Sequence, residues 1–122
     1  MTITPLHPMN RDERGYNCEY DHQRTGQHIL VFSRAGAVRG GHFHKGISLA
    51  KNPEEIILLS GVCEVQWREA NFSEIHVLRV EAPAKISIPP YTWHQFVFET
   101  DSAMIEMNGL AEHIADTFYG LP

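Results

Sequence analysis

RGGHFHKG, residues 39–46, sets His42 and His44 one residue apart behind an arginine and two glycines. Alternate side chains of a β-strand share a face, so His-x-His on a strand aims both imidazoles the same way. The flanking sequence predicts such a strand. AVRGGHFH (37–44) alternates loosely, and HILVFS (28–33) before it is an apolar run. EEIILLS (54–60) is apolar and stops at Gly61. VCEVQWRE (62–69) puts Cys63, Val65 and Trp67 on one face and Glu64, Gln66 and Arg68 on the other. EIHVLRV (74–80), KISIPP (85–90), HQFVFET (94–100) and SAMIEMN (102–108) continue the series, with turn residues between them. Many short strands at this spacing predict an all-β sandwich or barrel. Only residues 110–118 read as helical, and that segment is short.

Inside a small barrel, the face shared by His42 and His44 is the lumen. Glu54 opens the next strand and His94 opens a later one. If those strands are neighbours, His42, His44, Glu54 and His94 converge on one point. Such a set suits a divalent first-row metal with open positions: zinc, iron, manganese, nickel or cobalt. The chain has 8 histidines, so several must be incidental. His7, His22, His28 and His113 lie in poor context and read as surface or loop residues. His76 sits on a strand and can face either way.

Composition narrows the field. At 122 residues the chain is one domain. Hydrophobic content of 43% with 20% charged residues describes an ordinary globular protein. The net charge of −5 argues against nucleic acid as a partner, because phosphate binding needs a basic face. Cys18 and Cys63 are too few for a disulfide framework and are expected as reduced thiols. The opening MTITPLHPMN has neither the basic flank nor the apolar run of a secretion signal. No stretch approaches the roughly 20 apolar residues of a membrane span. A soluble cytoplasmic protein with no membrane partner is expected.

The ligand-like residues also fall in an order that resembles the cupin superfamily. Its first motif runs from a glycine through His-x-His to a glutamate and, six residues on, a glycine. Gly40, His42, His44, Glu54 and Gly61 match it, with residues 55–60 between the last two. Its second motif is similar to Pro89 and His94. The resemblance covers residues 25–108 and implies a single-domain, cupin-type β-barrel (double-stranded β-helix) over residues 25–122. Residues 1–24 are then an N-terminal arm, too sparse in apolar residues to pack alone and suited to wrapping a partner. Two departures stand out. The nine residues 45–53 between His44 and Glu54 are more than the motif usually carries, so Glu54 or Glu55 is the ligand, with the spacing to Gly61 favouring Glu54. Tyr91 stands where the second motif has glycine.

A finer resemblance lies in DERG (12–15), TGQHILVFSRAGAVRGGHFHK (25–45), IPPYTWHQF (88–96) and ADTFYG (115–120). These look like the cupins that epimerise or ketoisomerise sugar nucleotides and like the cupin domain of capsular-polysaccharide assembly proteins. The resemblance implies a homodimer that acts on a nucleotide sugar by moving a proton next to a carbonyl. In that light His42 is a candidate base, Tyr91 a candidate acid and Arg39 a candidate phosphate ligand. Lys45 and Trp93 are candidate substrate contacts; Arg34 and Lys51 complete the supply of cations. A histidine bound to a metal cannot also be a free base. If His42, His44 and His94 all ligate, the base is another group: His76, Glu106, Lys45 or a metal-bound hydroxide. Two other functions use the same ligand set: an iron-dependent dioxygenase, and a non-catalytic cupin that binds a metal or a sugar.

Overall fold

The alternating segments fold into two five-stranded antiparallel sheets, and the computed structural model describes all 122 residues. In chain order the strands are β1 (Thr2–Pro5), β2 (Met9–Asp12), β3 (Gly15–Asn17), β4 (Ile29–Ser33), β5 (Val38–Phe43) and β6 (Glu54–Ser60). Then come β7 (Val62–Arg68), β8 (His76–Glu81), β9 (Ala84–Ile88), β10 (Trp93–Phe98), β11 (Ser102–Glu106), the helix α1 (Leu110–Ala115) and β12 (Phe118–Tyr119). One sheet runs β1-β9-β6-β11-β4 and the other β12-β5-β10-β7-β8, while β2 and β3 form a separate hairpin. No helix is long and apolar enough to cross a membrane.

Period-2 patterning sets what each strand turns inward. Ile56 and Leu58 of β6 meet Val65 of β7, Ile86 of β9, Phe96 and Phe98 of β10 and Met104 of β11 in one core. Each such fully buried side chain contributes roughly 1.5–3 kcal/mol. The same inward rows change character along the barrel. β6 reads Glu54, Ile56, Leu58, and β10 reads His94, Phe96, Phe98, all buried. The barrel therefore has an apolar end and a polar end, and the polar end gathers His94 and Glu54.

A β-bulge aims the histidines. His42 pairs with His94, but the next residue of β10, Gln95, pairs with Gly40, so Gly41 is left over. Gly40 and Gly41 adopt φ of +94° and +74°, where a side chain is strained. A Cβ on Gly40 would also lie 2.7 Å from the His94 carbonyl oxygen. The glycine pair is thus a requirement of the bulge.

Within residues 1–24, β1 adds to the edge of the first sheet, with Ile3 opposite Ile86 and packed against the core, while the β2–β3 hairpin stays separate and exposed. One expectation is corrected. The helix stops at Ala115, and Phe118–Tyr119 forms β12 against β5.

Candidate functional site

The polar end gathers the four residues that the spacing picked out. The rings of His42 and His44 on and just after β5 are 4.9 Å apart, centre to centre. His94 at the start of β10 lies 4.8 Å from His42 and 5.2 Å from His44. Glu54 enters from the opposite sheet, with Oε2 2.8 Å from His44 Nε2 and Oε1 3.5 Å from His94 Nε2. Glu55 alternates away, toward Lys85 at 3.2 Å and Arg24 at 3.8 Å. Glu54 is therefore the carboxylate of the cluster.

Backbone carbonyls fix two tautomers. His44 Nδ1 is 2.7 Å from the Asp116 carbonyl and His94 Nδ1 is 2.9 Å from the Thr92 carbonyl. A carbonyl only accepts, so each Nδ1 carries the proton and each Nε2 presents a lone pair. Both Nε2 atoms are buried without a hydrogen-bond partner. They face Glu54 without the geometry of a hydrogen bond to it. Those two nitrogens and the Glu54 carboxylate face one another in a dry space, where metal-ligating groups of this kind can take a cation in addition to the Lys51 ammonium already on Glu54. Three imidazoles and one carboxylate, two of the imidazoles held from behind by carbonyls, fit a divalent metal. His42, His44 and His94 bring ligand atoms within 4.8 Å of one another, and so do His44, Glu54 and His113.

Two residues that the sequence reading placed elsewhere belong here. Lys51, counted in the supply of cations for an anionic substrate, is fully buried with its ammonium on Glu54 Oε2. His113, read as a surface residue, is carried by α1 to the mouth of the barrel. Its Nδ1 is 3.1 Å from Lys51 Nζ, and its ring is 5.5 Å from His42 and 5.7 Å from His44. No local pattern marks His113, since its partner Lys51 lies 62 residues earlier.

The cluster opens into a cavity of about 330 Å³ whose lining includes Arg39, His42, Glu106, Leu110, His113 and Tyr119. Burial, reinforced by His94 and His44, pushes His42 down to about 3. His113 is lowered too, by burial and then by Lys51. Burial works to raise Glu54, but its polar surroundings, with the buried Lys51 ammonium among them, outweigh it and hold the carboxyl well below its usual range. Glu106 behaves in the opposite way. Burial and the neighbouring charge of Glu54 push it up to about 7.

The remaining candidates are placed as follows. Arg39 lines the cavity, with Nε donating to Ser33 Oγ at 2.7 Å and Nη2 to the Phe32 carbonyl at 3.0 Å. Lys45 lies outside it, with Nζ 4.0 Å from the centre of the Phe118 ring. Trp93 alternates away from His94 and sits across from Arg68 of β7. His76 stacks on Trp67 at 5.2 Å, two strands beyond β10. Tyr91 is not at the site. Its backbone is left-handed, φ +59°, which is the reason a glycine suits this position. Its ring stacks on Phe43, whose side chain alternates away from His42 and His44. The phenol beside the cluster is that of Tyr119, with its ring 5.8 Å from His42.

This architecture recurs in solved structures. QdtA, a sugar 3,4-ketoisomerase from Thermoanaerobacterium thermosaccharolyticum in complex with TDP, is similar with a TM-score of 0.71 at 14% identity, over 98% of this chain and 87% of that one. ChmJ, a 3'-monoepimerase from Streptomyces bikiniensis, gives a TM-score of 0.75 at 14% identity, over 98% of this chain and 68% of that one. The capsular polysaccharide assembling protein CapF from Staphylococcus aureus gives 0.62 at 24% identity; 97% of this chain aligns with only 35% of CapF. At these identities the likeness is one of fold, and the fold is the cupin-type barrel that the motifs implied. No curated protein matches the sequence. The family model for the polysaccharide biosynthesis C-terminal domain matches residues 10–116, nearly the whole barrel, and the chain belongs to that family.

Proposed function

We propose that the protein is a sugar-nucleotide isomerase or epimerase that moves a proton next to a carbonyl, with a divalent metal held by His42, His44, Glu54 and His94. One juxtaposition carries this reading: Glu106, a carboxyl raised to about 7, lines the same cavity as His42 and Arg39. QdtA, a sugar 3,4-ketoisomerase solved with TDP, and ChmJ, a 3'-monoepimerase solved with dTDP, support the substrate class. So does the family's association with polysaccharide biosynthesis.

Histidines that ligate a metal are not free to take a proton, so the base is Glu106. A carboxyl near neutrality is still substantially ionised at physiological pH and is a stronger base than an ordinary one. Once protonated, it returns the proton as an acid. A divalent metal held by His42, His44, Glu54 and His94 would supply a Lewis acid for the substrate's carbonyl oxygen. Arg39 has Nε and Nη2 already committed, which fixes its plane and turns Nη1 to a phosphate. Tyr119 and Leu110 at the rim provide apolar surface for the sugar or the base. A homodimer suits the exposed Leu30 and Phe32 of β4, which is an edge strand.

The test is proton exchange. A TDP-linked 4-keto sugar incubated with the protein in D₂O loses the NMR signal of the proton next to its carbonyl. Glu106→Gln slows that loss by about 100-fold or more. Wild-type protein that exchanges nothing, or Glu106→Gln at the wild-type rate, refutes the proposal. Bound iron with oxygen uptake replaces it with the dioxygenase reading.

A further inference from the structure

Lys51 is the residue of the cluster that the proton-transfer chemistry leaves unused. It does not line the cavity, yet it is fully buried and its ammonium rests on Glu54 Oε2. A buried ammonium is expensive unless paired, so the fold spends effort to put it there. The long 45–53 spacer delivers it. Lys51 N–H donates to the Ser48 carbonyl at 3.0 Å, and Lys51 pairs with Glu54 in an isolated β-bridge. The oxygen that it touches is also the one 2.8 Å from His44 Nε2.

We infer that Lys51 is a resident counter-ion that competes with the metal for Glu54, so that metal loading expels the lysine from the barrel. With neutral imidazoles, Lys51 and Glu54 leave the buried cluster with no net charge. Adding a dication beside the ammonium puts like charges against one carboxylate in a low-dielectric space, where their repulsion is strong. The spacer offers a way out, because Lys45, Ile47, Leu49 and Asn52 on it are already exposed. The inference rests on the metal-binding reading of the cluster and adds to it a brake on affinity.

The experiment compares wild type with Lys51→Met, both stripped with a chelator and titrated with zinc against a chromophoric competitor. The variant is expected to bind about tenfold tighter or more. In parallel, wild-type lysines are acylated with and without zinc and mapped by peptide mass; Lys51 is expected to be protected without zinc and modified with it. Zinc binding by wild type with equal or weaker binding by the variant overturns the role of Lys51 and leaves the metal site standing. No zinc binding by either folded protein overturns both. If Lys51→Met fails to fold, the acylation pattern decides alone, and protection unchanged by zinc overturns the inference.

Discussion

Replacing Glu106 with glutamine tests the electrostatics of the cavity without any substrate. The fold holds the Glu106 proton more tightly than the unfolded chain does, with the pKa raised from 4.5 to about 7. Such a group lends its full stability below the unfolded pKa and loses it as pH rises through the folded one. With these two values, ionisation of Glu106 costs the fold about 0.8 kcal/mol at pH 5 and about 3.3 kcal/mol at pH 8. Glutamine has no proton to lose. Wild type should therefore fall by roughly 2.5 kcal/mol relative to Glu106→Gln between pH 5 and pH 8. Urea unfolding of both proteins at both pH values, in chelator, gives the four free energies needed. Taking the difference between proteins cancels the titration of groups common to both. Stability curves that run parallel, within about 0.5 kcal/mol, would refute the claim that the cavity holds this carboxyl protonated near neutrality.

Other perturbations probe the site and its supports. Gly40→Ala places a methyl 2.7 Å from the His94 carbonyl oxygen at a φ of +94°, and should cost more than about 2 kcal/mol in a melting experiment. Tyr91→Phe should leave turnover within about twofold of wild type, because the phenol stacks on Phe43 outside the cluster; a loss of about 100-fold would bring Tyr91 back as the acid. His94→Ala should abolish near-stoichiometric metal measured by elemental analysis, since His94 Nε2 is one of the two orphaned nitrogens. Of the two thiols, Cys18 should react with a disulfide reagent in the native protein. Cys63, fully buried and pushed up to about 11 by burial and then by Glu99, should react only after unfolding.

Among strands β4 to β11 the signal was strongest where a buried row leaves a two-residue rhythm, as in β7, β9 and β10. The first three strands carried no such signal. β2 and β3 are exposed along their whole length, and β1 turns only Ile3 toward the core. The cluster of His42, His44, Glu54 and His94 was legible for the same reason as the strands: Glu54 opens β6, His42 and His94 lie one residue inside the ends of β5 and β10, and their inward rows can be counted. Lys51 and His113 were not, for opposite reasons. Lys51 precedes Asn52-Pro53 and has the look of a turn, and nothing local says that its side chain folds back under Glu54. His113 depends on where a short helix comes to rest after the barrel is finished. Tyr91 misled because the motif gives the position but not the direction; only the left-handed backbone shows that its ring leaves the site.

The carbonyl that sets the tautomer of His44 belongs to Asp116, 72 residues downstream. The Asp116 carboxylate also accepts the N–H groups of Lys45 and Ser48, so one residue holds both the imidazole and the start of the loop that bears Lys51. This gives the molecule an order of assembly. On the ribosome, the residues of the barrel core are all synthesised before Asp116 is. A nascent chain can therefore bury Phe96, Phe98 and Met104 while the ring of His44 is still free to turn over. The Asp116 contacts form only once the chain beyond β11 is laid across β5, so a chain stopped short after β11 would lack the carbonyl that orients His44 and the carboxylate that holds the start of the Lys51 loop.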